Sequence, residues 1–183
     1  MKRTGLTVGV SLAAVLLMAA LTVASGVRTV DVDDQCDPDT FNAALGEGAC
    51  IGDGNVTFAE FLEQLNPQDN GHDAWRFNFG RGEIDPGETL RAENRGGEFH
   101  TFTEVVRYGG GCIAEVNGPL GLTPVQECDA LTQVAPGVFV PTAFLQTGVD
   151  AGASRDVKGL RRGTHRFQCL IHPWMKVDVK VRN

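Results

Sequence analysis

Three side chains near the end of the chain have types and spacing suited to metal chemistry. Cys169, His172 and Met175 stand three residues apart in Gln-Cys-Leu-Ile-His-Pro-Trp-Met. A thiolate, an imidazole and a thioether so close together form a soft donor set, and such a set suits copper. To act together they must converge, and the flanking residues supply the means. Phe167 and Cys169 share one parity before the segment. Met175, Val177, Val179 and Val181 share one parity after it, with Lys176, Asp178, Lys180 and Arg182 on the other. Strict alternation marks half-buried strands. The pattern predicts a β-hairpin with Cys169 and Met175 facing inward and His172 in the connection.

A fourth donor has to come from elsewhere. The chain has four histidines, at 72, 100, 165 and 172. His100 lies in Phe99-His-Thr-Phe-Thr-Glu-Val105, which reads as another strand. Two imidazoles and one thiolate make a trigonal set, with Met175 as a weak axial thioether, the arrangement of a mononuclear blue-copper electron-transfer site. Thiolate and thioether favour Cu(I), while imidazole suits both oxidation states. A site that both states tolerate rearranges little when an electron moves. His165 precedes Cys169 by four residues, so it shares that strand face but sits more than ~10 Å away along it. It and His72 are expected to be structural or exposed. Alone, Cys169 would pass for an inert buried thiol, Met175 for core and His172 for a loop residue; their joint spacing favours a metal. A structural zinc would want four Cys or His ligands. A dinuclear copper centre would need a second Cys where Leu170 and Ile171 stand.

The cysteines fit this reading. There are five, at 36, 50, 112, 128 and 169. The N-terminus looks like a signal peptide over residues 1–26: Lys2 and Arg3, an apolar run from Val8 to Val23, then Ala24, Ser25 and Gly26. Export to a periplasmic or extracellular space would let cysteines pair. The local pairs Cys36–Cys50 and Cys112–Cys128 are the economical choice, each closing a loop worth about 3 kcal/mol in the chain-entropy account. Cys169 is then left over, and metal ligation explains it.

Composition narrows the function further. The net charge is −7, and removing residues 1–26 would take away two cations and no acid. That excludes a nucleic-acid binder, which needs a basic patch, and allows a basic protein partner. No Ser/His/Asp or paired-carboxylate arrangement is legible, so an enzyme is not expected. Nor is stable membrane insertion once the leader is removed.

The rest of the chain supplies the scaffold. Residues 27–35 read as a polar lead-in. Asp37-Pro-Asp-Thr40 opens a short helix that Gly46 stops. Thr57-Phe-Ala-Glu60 fits a capping box ahead of an apolar stripe at Phe58, Phe61, Leu62 and Leu65. Gly52-Asp-Gly-Asn-Val-Thr-Phe-Ala-Glu60 also resembles half of a calcium loop, but Ala49 and Ile51 fall where ligating oxygens are needed. Residues 27–70 are therefore expected to be a small helical extension and 71–183 a copper-binding domain. Strands are expected at 75–79, 89–94, 99–105, near 137–146, at 154–160 and in the closing hairpin. Residues 112–135 read as a long irregular connection. Several short strands separated by Gly/Pro turns indicate an all-β sandwich or barrel.

The segments Glu98-Phe-His-Thr-Phe-Thr103 and Gly163-Thr-His-Arg-Phe-Gln-Cys-Leu-Ile-His-Pro-Trp-Met175 resemble the cupredoxins, and the Cys-x2-His-x2-Met spacing resembles the short ligand loop of amicyanin. The resemblance covers roughly residues 73–182. It implies a Greek-key β-sandwich holding one copper, with His100, Cys169 and His172 equatorial and Met175 axial. It implies a carrier of single electrons between redox proteins that dock transiently; a copper-binding or delivery protein is the alternative. It also implies an exposed edge of His172 as the electron port, with Pro173 and Trp174 forming an apolar docking rim.

Overall fold

The computed structural model describes residues 26–183, so the expected leader lies, but for Gly26, outside the described residues. Among the described residues, twelve strands and four short α-helices follow one another. The first strand is β1 (Val27–Asp33), followed by helices α1 (Pro38–Leu45) and α2 (Phe58–Glu63). Strands β2 (Arg76–Asn78), β3 (Glu83–Ile84), β4 (Thr89–Asn94), β5 (His100–Thr101) and β6 (Thr103–Val105) come next. Helix α3 (Ala114–Leu120), a 3-10 turn at Gln126–Cys128, β7 (Leu131–Ala135), β8 (Val138–Pro141) and α4 (Thr142–Thr147) intervene. The chain closes with β9 (Gly148–Val149), β10 (Ser154–Val157), β11 (Gly163–Gln168) and β12 (Lys176–Val181).

Two four-stranded sheets form the body, in the orders β10-β4-β1-β2 and β3-β12-β11-β6. Their inward residues build one core. Val30, Val32, Leu90 and Ala92 come from the first sheet, and Ile84, Phe167, Val179 and Val181 from the second. Phe102 bridges them, stacked on Phe167 at 4.3 Å between ring centroids and edge-on to Phe77. This is the expected β-sandwich.

Three sequence expectations are corrected. The segment read as a polar lead-in is β1, lying between β4 and β2 with Val30 and Val32 fully buried. Its alternation Val-Arg-Thr-Val-Asp-Val-Asp is a strand signal that the flanking acids obscure. The sheet therefore begins at residue 27, ahead of the boundary placed at residue 71. The strand expected near 137–146 is only β8; Phe144 and Leu145 lie in α4. The connection read as irregular holds α3, the 3-10 turn and β7.

The helices form as their ends require. Asp37 accepts from Thr40 N at 2.9 Å, Pro38 occupies the first turn, and Gly46 ends α1 at φ +109°. Thr57 and Glu60 satisfy each other's backbone donors at the start of α2. The glycines of the calcium-like stretch have another use. A Cβ on Gly54 would come within 2.1 Å of the Gln35 carbonyl carbon, so glycine lets this loop lie against the end of β1. A disulfide joins Cys36, just past the end of β1, to Cys50 and closes the loop that carries α1. A second joins Cys112 to Cys128 and staples the connection carrying α3.

Candidate metal centre

Four elements meet at one end of the sandwich. His100 opens β5, which pairs with β9. Cys169 follows β11 directly, and Met175 directly precedes β12. Between them, Met175 N donates to His172 O at 3.0 Å and Cys169 N to Met175 O at 3.1 Å, which folds the short segment back on itself. Leu170 N donates to Thr101 Oγ1 at 2.8 Å, locking that turn to β5. Thr101 N points at Cys169 Sγ at 3.5 Å. All four side chains are buried: His100 and Cys169 at 0% exposure, Met175 at 1% and His172 at 3%.

The donors converge. Cys169 Sγ lies 3.8 Å from His100 Nδ1 and 3.9 Å from His172 Nδ1, and the two Nδ1 atoms are 3.3 Å apart. The centre of that triangle is about 2.1 Å from each corner, close to the ~2.0–2.3 Å that nitrogen and sulfur ligands keep from a transition-metal ion. Cys169 is the free cysteine, as the pairing of the other four requires.

The electrostatics ask for a cation here. Burial opposes a charged Cys169, but hydrogen bonds from His100 and His172 outweigh it and hold the thiol well below its usual range. Burial likewise opposes a charged His100, yet hydrogen bonding to Asp34 and Cys169 pushes it up to about 10. Asp34 is desolvated too, but His100 and the amides of Gly97 and Glu98 bring it down to about 2. The metal-free chain thus favours a buried thiolate beside an imidazolium. A metal ion would take the place of that positive charge.

The structure brings His100, Cys169 and His172 together and leaves His72 and His165 out. His165 bonds Glu104 through Nδ1 at 2.6 Å and the Arg161 carbonyl through Nε2 at 2.7 Å. His72 Nδ1 accepts from Ala74 N at 3.2 Å. The exposed port is corrected. His172 and Pro173 are buried and Trp174 is half-buried. The His172 ring is ringed by Trp174, Phe61 and Trp75, at 5.4, 5.8 and 6.2 Å between centroids. Phe61 belongs to α2, so the helical pair covers the imidazole. Trp174 is fixed from outside: its Nε1 donates to His72 O at 3.0 Å, and Gly71, at φ +92°, lies so close that a Cβ there would meet the indole at 2.1 Å.

The stapled connection frames the other side. Cys112 N donates to Leu170 O at 2.6 Å, and Gly111 packs against the same carbonyl. Gln168 is fully buried although its parity predicts an outward side chain. It exchanges hydrogen bonds with the backbone of Gly109, in the segment that leads into this connection.

Two further residues of the site escaped sequence reading. Asp34 Oδ2 lies 2.8 Å from His100 Nε2. Glu98 accepts from Trp75 Nε1, and its Oε2 lies 3.7 Å from His172 Nε2. Nothing in the local sequence distinguishes Asp34 from its acidic neighbours. Glu98 is two residues before His100, and this parity was its only signal.

No protein-family profile matches the chain. No curated protein matches it either. Among solved structures, the chain is similar to a purple cupredoxin from Nitrosopumilus maritimus, at 18% identity and a TM-score of 0.36, over 84% of this chain and 98% of that one. It is also similar to an oxidised single-site mutant of amicyanin, at 15% identity and a TM-score of 0.36, over 90% of each chain. A reduced Cu(I) form of another amicyanin mutant aligns at 14% identity and a TM-score of 0.36, over 88% of this chain and 87% of that one.

Proposed function

We propose that this chain is an exported electron carrier holding one copper ion, with His100, Cys169 and His172 as equatorial ligands and Met175 as the axial one. The observation that carries this is the triangle of Nδ1, Nδ1 and Sγ atoms, buried and sized for one ion. When bound, copper supplies a one-electron couple between Cu(I) and Cu(II). The protein's own part is to hold the donors in one geometry. Thr101 fixes the turn after Cys169, and the sheets fix β5 and β12. Burial keeps water from the donors. Such a site rearranges little between oxidation states and catalyses no bond change of its own.

Copper delivery fits less well, because a donor set this buried has no open face from which to pass an ion on. The docking face differs from an exposed imidazole edge. Residues 35–75, which include the cover over His172, carry eight acids and no Lys or Arg. With a net charge of −7 for the whole chain, the remainder is nearly neutral. A redox partner that approaches His172 meets this acidic cover, and a basic docking surface complements it.

The test is the visible spectrum of the protein loaded with Cu(II). An intense thiolate-to-copper band is expected, and it should vanish in Cys169→Ser. A colourless Cu(II) complex would overturn the proposal.

A further inference from the structure

Each imidazole of the centre has a buried carboxylate behind it. Both rings turn Nδ1 towards Cys169, which leaves both Nε2 atoms facing away. Behind His100 stands Asp34, 3% exposed, with Oδ2 at 2.8 Å from Nε2. Behind His172 stands Glu98, 7% exposed, with Oε2 at 3.7 Å from Nε2. Each carboxylate is itself anchored. Asp34 accepts from the amides of Cys36, Gly97 and Glu98 at 2.9–3.2 Å. Glu98 accepts from the indole of Trp75, itself 1% exposed. The two are also linked, because the Glu98 amide is one of the Asp34 donors.

Burying two acids in an apolar core is costly unless a partner charge or a strong donor set compensates. Neither has a Lys or Arg among its contacts; each has an imidazole and the metal position beyond it. Carboxylates placed behind metal-binding imidazoles orient the rings and raise their basicity. Negative charge near an ion also favours its more positive oxidation state. Resting on the copper reading above, we infer that Asp34 and Glu98 are a pair of positioning residues. Asp34, at hydrogen-bond distance, commits the His100 ring to Nδ1 ligation, and the two carboxylates together bias the centre towards the oxidised metal. The two acids come from different parts of the chain. Asp34 follows β1, and Glu98 precedes β5, so the helical pair that leaves β1 at Cys36 is tied by backbone donation to the acid behind His100.

The experiment is a redox titration of the copper-loaded protein and its Asp34→Asn, Glu98→Gln and double variants, followed at the visible band. The amides keep the shape and remove the charge. Each should raise the midpoint potential, so that the Cu(I) to Cu(II) ratio at a fixed solution potential increases roughly tenfold or more, as a unit charge a few ångströms away implies at an effective dielectric of about 20. The double variant should move further, and Glu98→Asp should restore part of the shift. Glu98 accepts no backbone amide, so Glu98→Gln carries the test if Asp34→Asn does not fold. A band in the parent with an unmoved or lowered potential in Glu98→Gln overturns this inference alone. A parent protein with no band overturns the copper reading, and this inference with it.

Discussion

Phe61→Ala should both destabilise the protein and uncover the proposed copper site. Phe61 is 5% exposed, and its ring lies 5.0–6.2 Å between centroids from Phe41, Phe58, Trp75, His172 and Trp174. It is the shared contact of the helical pair, the β2 entrance and the ligand segment. Truncating a fully packed Phe costs about 3–5 kcal/mol, through lost burial and the cavity left behind. The Cys36–Cys50 disulfide closes the loop around α1, and Phe41 of that helix packs on Phe61 at 5.6 Å between centroids, so one side of the cavity is held in place. Water should then reach the His172 imidazole. The measurements are urea unfolding of the copper-free protein, and the rate at which a small soluble reductant reduces the Cu(II) form. Stability should fall by that amount and the reduction rate should rise. Phe61→Leu, which refills part of the volume, should lose roughly half as much. A loss below about 1 kcal/mol with an unchanged reduction rate would refute the view that α2 seals the centre.

Other expectations follow from the same contacts. Asp34 titrates at about 2 in the fold, below its ordinary 3.8, so the stability it confers is present above about pH 4 and lost as pH falls towards 2. His100 is protonated in both folded and unfolded chains over that range and adds nothing to the slope. Urea unfolding of the metal-free protein at pH 5 and pH 2.5 should therefore lose on the order of 2 kcal/mol more in the parent than in Asp34→Asn; equal losses would disprove the assignment. Gly71→Ala forces a Cβ at φ +92° into the Trp174 indole, and it should quench or shift the Trp emission and lower the unfolding midpoint. Gly111→Ala presses on the carbonyl of Leu170, next to Cys169, and should shift the visible band of the copper form. Electron exchange with a basic redox protein should slow as salt rises from low to physiological strength, while exchange with a neutral small reductant should not; parallel salt responses would remove the acidic cover from the docking face.

The closing hairpin was legible because its information is local. Parity in a strand fixes which side chains share a face, so Cys169 and Met175 could be placed inward from the pattern of valines alone. The capping box at Thr57 and the two disulfides were legible for the same reason, being settled within a few residues or by short loops. The β1 strand was misread because its polar residues are the outward half of an alternation whose inward half, Val30 and Val32, is short. Gln168 shows the limit of parity: the alternation holds along the backbone, but whether an outward position meets water depends on what else folds over it.

The residue types, their spacing and the unpaired cysteine therefore determined by themselves that a soft-metal site could exist and which strands would present it. Only the tertiary structure decided its surroundings. Asp34 and Glu98 reach the imidazoles from 66 and 74 residues away. The port expected at His172 is closed by Phe61, 111 residues before it in the chain. Contacts at such separations leave no periodic mark in sequence, because they depend on how two sheets and a helical pair pack in space.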